Sequence, residues 1–144
     1  MKKQVLTTLT MLSFLLLTAL TVSAQSERIR VISIPFSFVV GHKTLPAGNY
    51  SLEPNKKDSN NVWLLQSKAG HTTALFITMA VRANETQEEV RVVFHKYGDR
   101  YFLSQIWTPG ANTGRELSMP RLERQLARNV VAERMVVLTR VEPR

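Results

Sequence analysis

Two alternating runs of apolar and polar residues, joined by Gly98-Asp99, constrain the fold of this chain more than any other feature. The runs span residues 90–97 and 100–107. A Gly-Asp pair between such runs is typical of a two-residue β-hairpin turn, in which glycine takes the positive φ that the first turn position requires. Because successive side chains of a strand point to opposite faces, the sequence predicts a hairpin with one core face and one reverse face.

The two-residue turn also determines which residues of the hairpin lie opposite each other. Counting outward from it pairs Tyr97 with Arg100, His95 with Phe102, Phe94 with Leu103 and Val90 with Trp107. The core face is then expected to carry Val90, Val92, Phe94, Tyr101, Leu103 and Trp107. The reverse face mixes polar and apolar side chains, namely Arg91, Val93, His95, Tyr97, Arg100, Phe102, Ser104 and Ile106.

Five further segments follow the period of two and are predicted as strands, at residues 32–40, 49–53, 62–66, 73–81 and 135–141. Pro35 has no amide hydrogen to donate, so the first of them should lie at a sheet edge or carry a bulge. The strand at 73–81 is apolar on both faces, which predicts a central position in the sheet.

One helix is predicted near the C-terminus, because Ser118-Met119-Pro120 is typical of a helix start, with Ser118 as the cap and Pro120 in the first turn. It should run to about Asn129 with an apolar stripe of Met119, Leu122 and Leu126, beside a basic stripe of Arg121, Arg124 and Arg128. The chain is therefore expected to be mainly β. The predicted fold is a single antiparallel β-sandwich or partly open barrel of about seven strands, with one C-terminal helix before the last strand.

The first 24 residues have the pattern of a secretory signal peptide. Lys2 and Lys3 precede an apolar stretch at 5–22, and small residues lead to a predicted cleavage between Ala24 and Gln25. A retained membrane anchor is the alternative, since the stretch is nearly long enough to span a bilayer. We expect a signal peptide at 1–24, a single β-rich domain at 25–144 with no stable membrane span, and export to the periplasm or the exterior.

Composition narrows the classes of partner and chemistry. The chain has no cysteine, which excludes disulfides, thiolate catalysis and cysteine zinc sites. With Lys2 and Lys3 removed, 17 basic residues face 11 acidic residues, a net charge of +6. For an exported protein this charge favours an envelope polyanion, a carbohydrate or an acidic protein partner over nucleic acid. Solubility alone is the simpler interpretation of the charge.

Four strings resemble a group of small exported proteins of soil bacteria such as acidobacteria. They lie at residues 35–41, 45–50, 94–103 and 121–127, and the likeness spans most of the chain after residue 24. The resemblance implies export and a single β-rich domain. The group has no assigned activity, so the resemblance carries over no catalytic or binding residue.

The sequence contains no recognisable catalytic or cofactor motif. His42, His71 and His95 lie in separate segments without metal-ligand spacing, and the Gly-x-Ser-x-Gly, phosphate-loop and dinucleotide patterns are missing. A serine–histidine–carboxylate arrangement assembled from distant residues stays open, because sequence order cannot reject it. We therefore predict no catalytic residue, no metal and no cofactor.

The reverse face of the hairpin is the best candidate for a binding site. His95, Tyr97 and Arg100 project together beside Phe102 and offer aromatic surface and a cation to a sugar or an anion. The stripe of Arg121, Arg124 and Arg128 is a second candidate. In the alternative that we favour, the C-terminal helix covers this face, with Leu122 and Leu126 against Phe102 and Ile106, because an exposed apolar stripe would otherwise need an explanation.

The functional expectation is an exported, non-enzymatic β-domain protein that binds an envelope component or a protein partner. Export, strand richness and the lack of catalytic clusters support it. Two alternatives remain, namely a small secreted hydrolase with its site on the reverse face, and a carrier of an apolar ligand inside a barrel.

Overall fold

The computed structural model describes residues 29–55, 61–70 and 72–139. The predicted signal peptide at 1–24, its cleavage between Ala24 and Gln25, and His71 lie outside the described residues. The described part is mainly β, with 59% strand and 6% helix.

Within the described residues, ten strands and one short helix follow one another. In chain order they are β1 (Ile29–Ile34), β2 (Phe38–Val40), β3 (Lys43–Leu45), β4 (Gly48–Pro54), β5 (Val62–Ser67), β6 (Thr73–Arg82), β7 (Val90–Tyr97), β8 (Arg100–Trp107), β9 (Thr113–Leu117), α1 (Arg121–Leu126) and β10 (Glu133–Thr139).

The prediction of about seven strands was wrong, because three additional strands form. Pro35 breaks the predicted strand at 32–40 into β1 and β2, since proline cannot donate to a ladder. Directly after the turn that follows β2, the chain pairs back onto β2 over three residues, which form β3. In β9, one of the two buried positions is Gly114, which has no side chain and so contributes nothing to an alternating pattern.

The strands form one open, mixed sheet rather than a purely antiparallel one. Its path runs β1-β4-β5-β6-β9-β8, with β7 on the other side of β8 and β10 beside β7. The prediction of an antiparallel fold needs one correction, because β2 pairs in parallel with β8 at Val39 and Phe102. The ten-residue β6 pairs with β5 through its first half and with β9 through its second, and so links the two parts of the sheet.

The core lies on the inner face of this sheet and is rich in aromatic rings. Ile32, Ile34, Phe38 and Val40 are buried, so the alternation continues across the break at Pro35. The Phe38 ring meets both Tyr50 and Phe94 edge-on, with ring centroids 5.3 and 5.5 Å apart. The Tyr50 hydroxyl donates a hydrogen bond to the Pro46 carbonyl at 2.6 Å, which ties the turn before β4 to the core.

The predicted hairpin is present, but its register changes halfway along. Gly98 has φ 58°, and the pairs Tyr97–Arg100, His95–Phe102 and Phe94–Leu103 are confirmed. The next pair is Val93–Gln105, so Ser104 is the extra residue of a β-bulge. Beyond the bulge the alternation of β8 is inverted, so Trp107 lies opposite Arg91 rather than Val90. Ile106 consequently joins the core and Trp107 leaves it, contrary to the prediction.

β6 is central as predicted, yet one of its faces is not covered by the described residues. Leu75, Ile77 and Met79 are 61%, 70% and 58% exposed. On β5, half-buried Leu64 lies opposite Leu75, and half-buried Val62 lies opposite Ile77. We call these five residues the outer apolar stripe.

Candidate functional site

A second, smaller group of buried side chains lies on the reverse face of the β7–β8 hairpin, outside the main core. Its apolar members are Val93, Tyr97, Phe102 and Trp107. The Tyr97 ring meets Phe102 edge-on, with centroids 5.8 Å apart. The bulge adds Trp107 to this group, because the extra residue Ser104 turns it onto the same face as Val93.

A chain of polar groups crosses this face and connects the hairpin to α1. His95 Nδ1 lies 2.6 Å from Glu123 Oε1, and His95 Nε2 lies 3.2 Å from Ser104 Oγ. The Tyr97 hydroxyl donates to the same Glu123 oxygen at 3.4 Å. In the neutral tautomer that carries its proton on Nδ1, His95 donates to the carboxylate, and Nε2 is then an acceptor for the Ser104 hydroxyl. We call Ser104, His95, Glu123 and Tyr97 the polar cluster.

α1 contacts the reverse face through a carboxylate, and the leucine contacts of the favoured alternative were wrong, since Leu122 is exposed and Ile106 lies in the main core. Glu123 is only 1% exposed, whereas Leu122 is exposed and Leu126 half-buried. A buried carboxylate is costly unless hydrogen-bonded and paired, and the polar cluster provides both partners. Sequence reasoning missed Glu123, because the apolar stripe predicted for the helix is not its buried side: Met119 is exposed and Leu126 only half-buried.

The helix is also shorter than predicted. It ends at Leu126 rather than about Asn129, although Val130 still donates a backbone hydrogen bond to Leu126. Pro120 is the N-cap residue, with an extended ψ of 159°, and no side chain caps the helix. Ser118 lies two residues before this cap, so the prediction that it would cap the helix was wrong.

The connectivity of the polar cluster is that of a serine–histidine–carboxylate triad, but its accessibility is not. Ser104 is 4% exposed, and the carboxylate belongs to the element that covers the site. A depression of about 280 Å³ is lined by residues 85–89 and Arg91 and contains no member of the cluster. A nucleophile must reach its substrate, so the geometry is better suited to holding α1 in place than to turnover.

The candidate binding residues divide into two sets in the structure. His95, Tyr97 and Phe102 are brought together, but beneath α1. Arg100 is exposed at the hairpin turn, and Arg121, Arg124 and Arg128 are exposed along α1 and the turn after it. The single site expected from these residues is therefore split into a cluster of buried Tyr97 and Phe102 with half-buried His95, and an exposed basic surface.

Tyr97 should make stability depend on pH in the alkaline range. Burial, the negative charge of Glu123 and the hydrogen bond donated to it raise the pKa of Tyr97 above its usual value of 10.0. The unfolded chain ionises first, so this contribution is complete below pH 10.0 and is lost as the pH rises through the folded pKa. We expect the free energy of unfolding to fall above about pH 10, and less steeply in Tyr97→Phe. Denaturant titrations across this range, giving identical slopes for both proteins, would contradict this assignment.

The described part of the chain shows neither a metal-binding group of residues nor a membrane-spanning helix. No group of three or more His, Cys, Asp or Glu is placed there to hold a metal ion. None of the helices within residues 29–55, 61–70 and 72–139 is long and apolar enough to cross a membrane. Comparisons with protein-family models, curated proteins and solved structures found no match.

Proposed function

We propose that this chain is an exported, non-enzymatic β-domain protein that binds a protein partner in the cell envelope. The observation that carries the proposal is the outer apolar stripe, three of whose side chains are more than half exposed on a central strand. Contiguous apolar surface of this kind is typical of interaction sites. The signal-like N-terminus supports export, which would bring the stripe to the envelope.

The chemistry of the stripe favours a protein over a carbohydrate. Its five side chains are uncharged, aliphatic or thioether groups that offer no hydrogen bond to a sugar hydroxyl. On β5, Leu64 and Val62 lie directly opposite Leu75 and Ile77. Met79 continues the same face of β6 beyond this pairing, where its partner on β9 is Glu116, so the five side chains form a continuous surface. Such a surface suits the apolar centre of a protein–protein interface, where charged residues are depleted and methionine is enriched.

The hydrolase alternative has one observation in its favour, the hydrogen-bonded order Ser104–His95–Glu123. The burial of Ser104 and the position of Glu123 on the covering helix oppose it. A fluorophosphonate probe separates the two interpretations. Labelling of the folded protein that disappears in Ser104→Ala would contradict the non-enzymatic proposal, and we expect no labelling above that of this variant.

The carrier alternative requires interior space for an apolar ligand. The inner face of the sheet is instead occupied by large side chains with almost no exposure, among them Trp63, Tyr50, Phe38 and Phe94. Protein interiors packed in this way leave few voids larger than a water molecule. The packing therefore supports a binding surface on the outside of the sheet.

The stripe is tested by retention on envelope material. The full chain is expressed in a bacterium, and the recovered product is expected to begin at Gln25. We define protein-dependent retention as the part of the binding to immobilised envelope fractions that prior protease treatment of the envelope removes. Replacing Leu75 and Ile77 with serine should lower this protein-dependent retention by about ten-fold or more, because central apolar contacts dominate interface energies.

A matched control removes two exposed apolar side chains elsewhere. Val130→Ser with Val131→Ser leaves the stripe intact and should keep the protein-dependent retention at the wild-type level. Circular dichroism verifies that all variants are folded. Protein-dependent retention that is equal in the stripe variant and the control would contradict the proposal.

A further inference from the structure

A second exposed surface surrounds α1 and has a different chemistry. Arg121 and Arg124 are three residues apart in α1, which places them on one side of the helix, and Arg128 follows in the turn after it. Glu123 points the opposite way, into the polar cluster. The arginines are therefore directed away from the sheet.

The acidic residues of this part of the chain do not neutralise the surface. Between residues 118 and 139 the carboxylates are Glu123 and Glu133. Glu123 is paired with His95, and Glu133 with Lys96 at 3.2 Å. Arg134 is also exposed, so this region carries four exposed arginines.

Apolar side chains lie exposed in the same short segment. Met119 and Leu122 adjoin the start of α1, and Val130 and Val131 follow its last turn. Val131 is 91% exposed. An acidic polymer would use only the cations, whereas a lipid headgroup region offers anions at its surface and apolar volume just beneath.

We propose that this surface, formed by residues 119–131, docks on a bilayer that contains anionic lipid. The arginines contact lipid phosphates, and the exposed valines, Met119 and Leu122 enter the boundary between headgroups and acyl chains. This goes beyond the proposed protein partner, because it assigns a different surface and a different class of partner. The two surfaces can therefore succeed or fail independently.

The test is sedimentation of the recovered protein with phosphatidylethanolamine vesicles, with or without phosphatidylglycerol. We expect binding only to the anionic vesicles, and weaker binding as salt is raised. Arg121→Gln with Arg124→Gln should lower the partition coefficient roughly 25-fold, since each basic residue near an anionic surface contributes about five-fold. Arg121→Lys with Arg124→Lys keeps the charge and should retain most of the binding.

Two controls change residues outside this surface, and one further variant tests its apolar part. Lys68→Gln with Arg82→Gln removes the same net charge from other exposed positions. This variant should change the partition coefficient on anionic vesicles by less than three-fold. Val130→Ser with Val131→Ser should weaken vesicle binding several-fold, because it removes apolar groups that enter the boundary. Leu75→Ser with Ile77→Ser should leave it unchanged, which separates this surface from the outer apolar stripe.

Three results would overturn the proposal. One is equal binding to neutral and anionic vesicles. Another is an equal loss of binding in the Arg→Gln variant and in its charge-matched control. The third is full competition by soluble dextran sulfate with no effect of the valine substitutions, which would assign the surface to an acidic polymer.

Discussion

Replacing Glu123 with alanine is expected to release α1 from the hairpin and to lower the free energy of unfolding by about 3 kcal/mol. The carboxylate is 1% exposed and accepts hydrogen bonds from both His95 and Tyr97. Its removal leaves two partners unsatisfied beneath a helix whose leucines are not fully buried. With no other deep anchor on α1, the loss should be concentrated in this element.

Trypsin provides a local readout of this loss. Arg121, Arg124 and Arg128 are cleavage sites within the segment that Glu123 anchors. In a folded protein, the rate of cleavage follows the population of locally opened chain. We expect Glu123→Ala to accelerate cleavage at these arginines by more than ten-fold, together with a lower midpoint of thermal unfolding.

Two further variants test whether the burial of the charge is responsible. Glu123→Gln keeps the shape of the side chain and one acceptor oxygen. Its rate of cleavage at the three arginines should lie between those of Glu123→Ala and the wild-type protein. Glu133→Ala breaks the exposed pair with Lys96 on the neighbouring strand and should leave cleavage at the three arginines unchanged. Equal cleavage in Glu123→Ala and wild type would show that Glu123 does not hold α1.

The change Gly114→Ala should destabilise the protein by about 2 kcal/mol, although alanine normally improves on glycine in a strand. A Cβ at this position would lie 2.6 Å from Cδ2 and Cε3 of Trp107. The ring is buried, and its Nε1 donates to Gln105 Oε1 at 3.2 Å, so it has little room to move. A decrease in the free energy of unfolding, where alanine would normally increase it, would therefore indicate the close approach of Gly114 to the Trp107 ring.

The background Trp107→Leu isolates this contact. Removing the ring destabilises the protein by itself, but Gly114→Ala should then cost less than about 0.5 kcal/mol, a non-additivity that denaturant unfolding of the four proteins measures. The same destabilisation in both backgrounds would mean that the ring is not the cause.

The hairpin shows both the reach and the limit of sequence reasoning. Its turn and first four pairs follow from Gly98-Asp99 and the alternation, because both are local. The bulge at Ser104 is only weakly signalled in the sequence, since inverting the alternation of β8 exchanges two apolar residues, Ile106 and Trp107, between the faces. The polar Gln105 at a core-facing position is the one local signal of the change. Which of them belongs to the core is decided by packing against strands distant in sequence.

The sequence predicted the part of the candidate site that depends on local strand alternation, and missed the part that depends on long-range packing. His95, Tyr97 and Phe102 lie on one face because the strand period places them there. Ser104 was placed on that face but not selected, and Glu123 was not among the candidate residues. Its burial depends on α1 meeting the hairpin 28 residues away in sequence from His95, which no local pattern encodes.

By itself, the sequence determined the strand-rich class, the hairpin turn, the break that Pro35 allows and the absence of cysteine chemistry, because each depends on residue type and short-range spacing. Only the tertiary structure decided the number of strands, the parallel pairing of β2 with β8, the carboxylate anchor of α1 and the exposure of the outer apolar stripe. These features depend on which distant surfaces meet. A pattern of apolar residues shows that a face can be buried, but only the assembled sheet shows whether anything covers it.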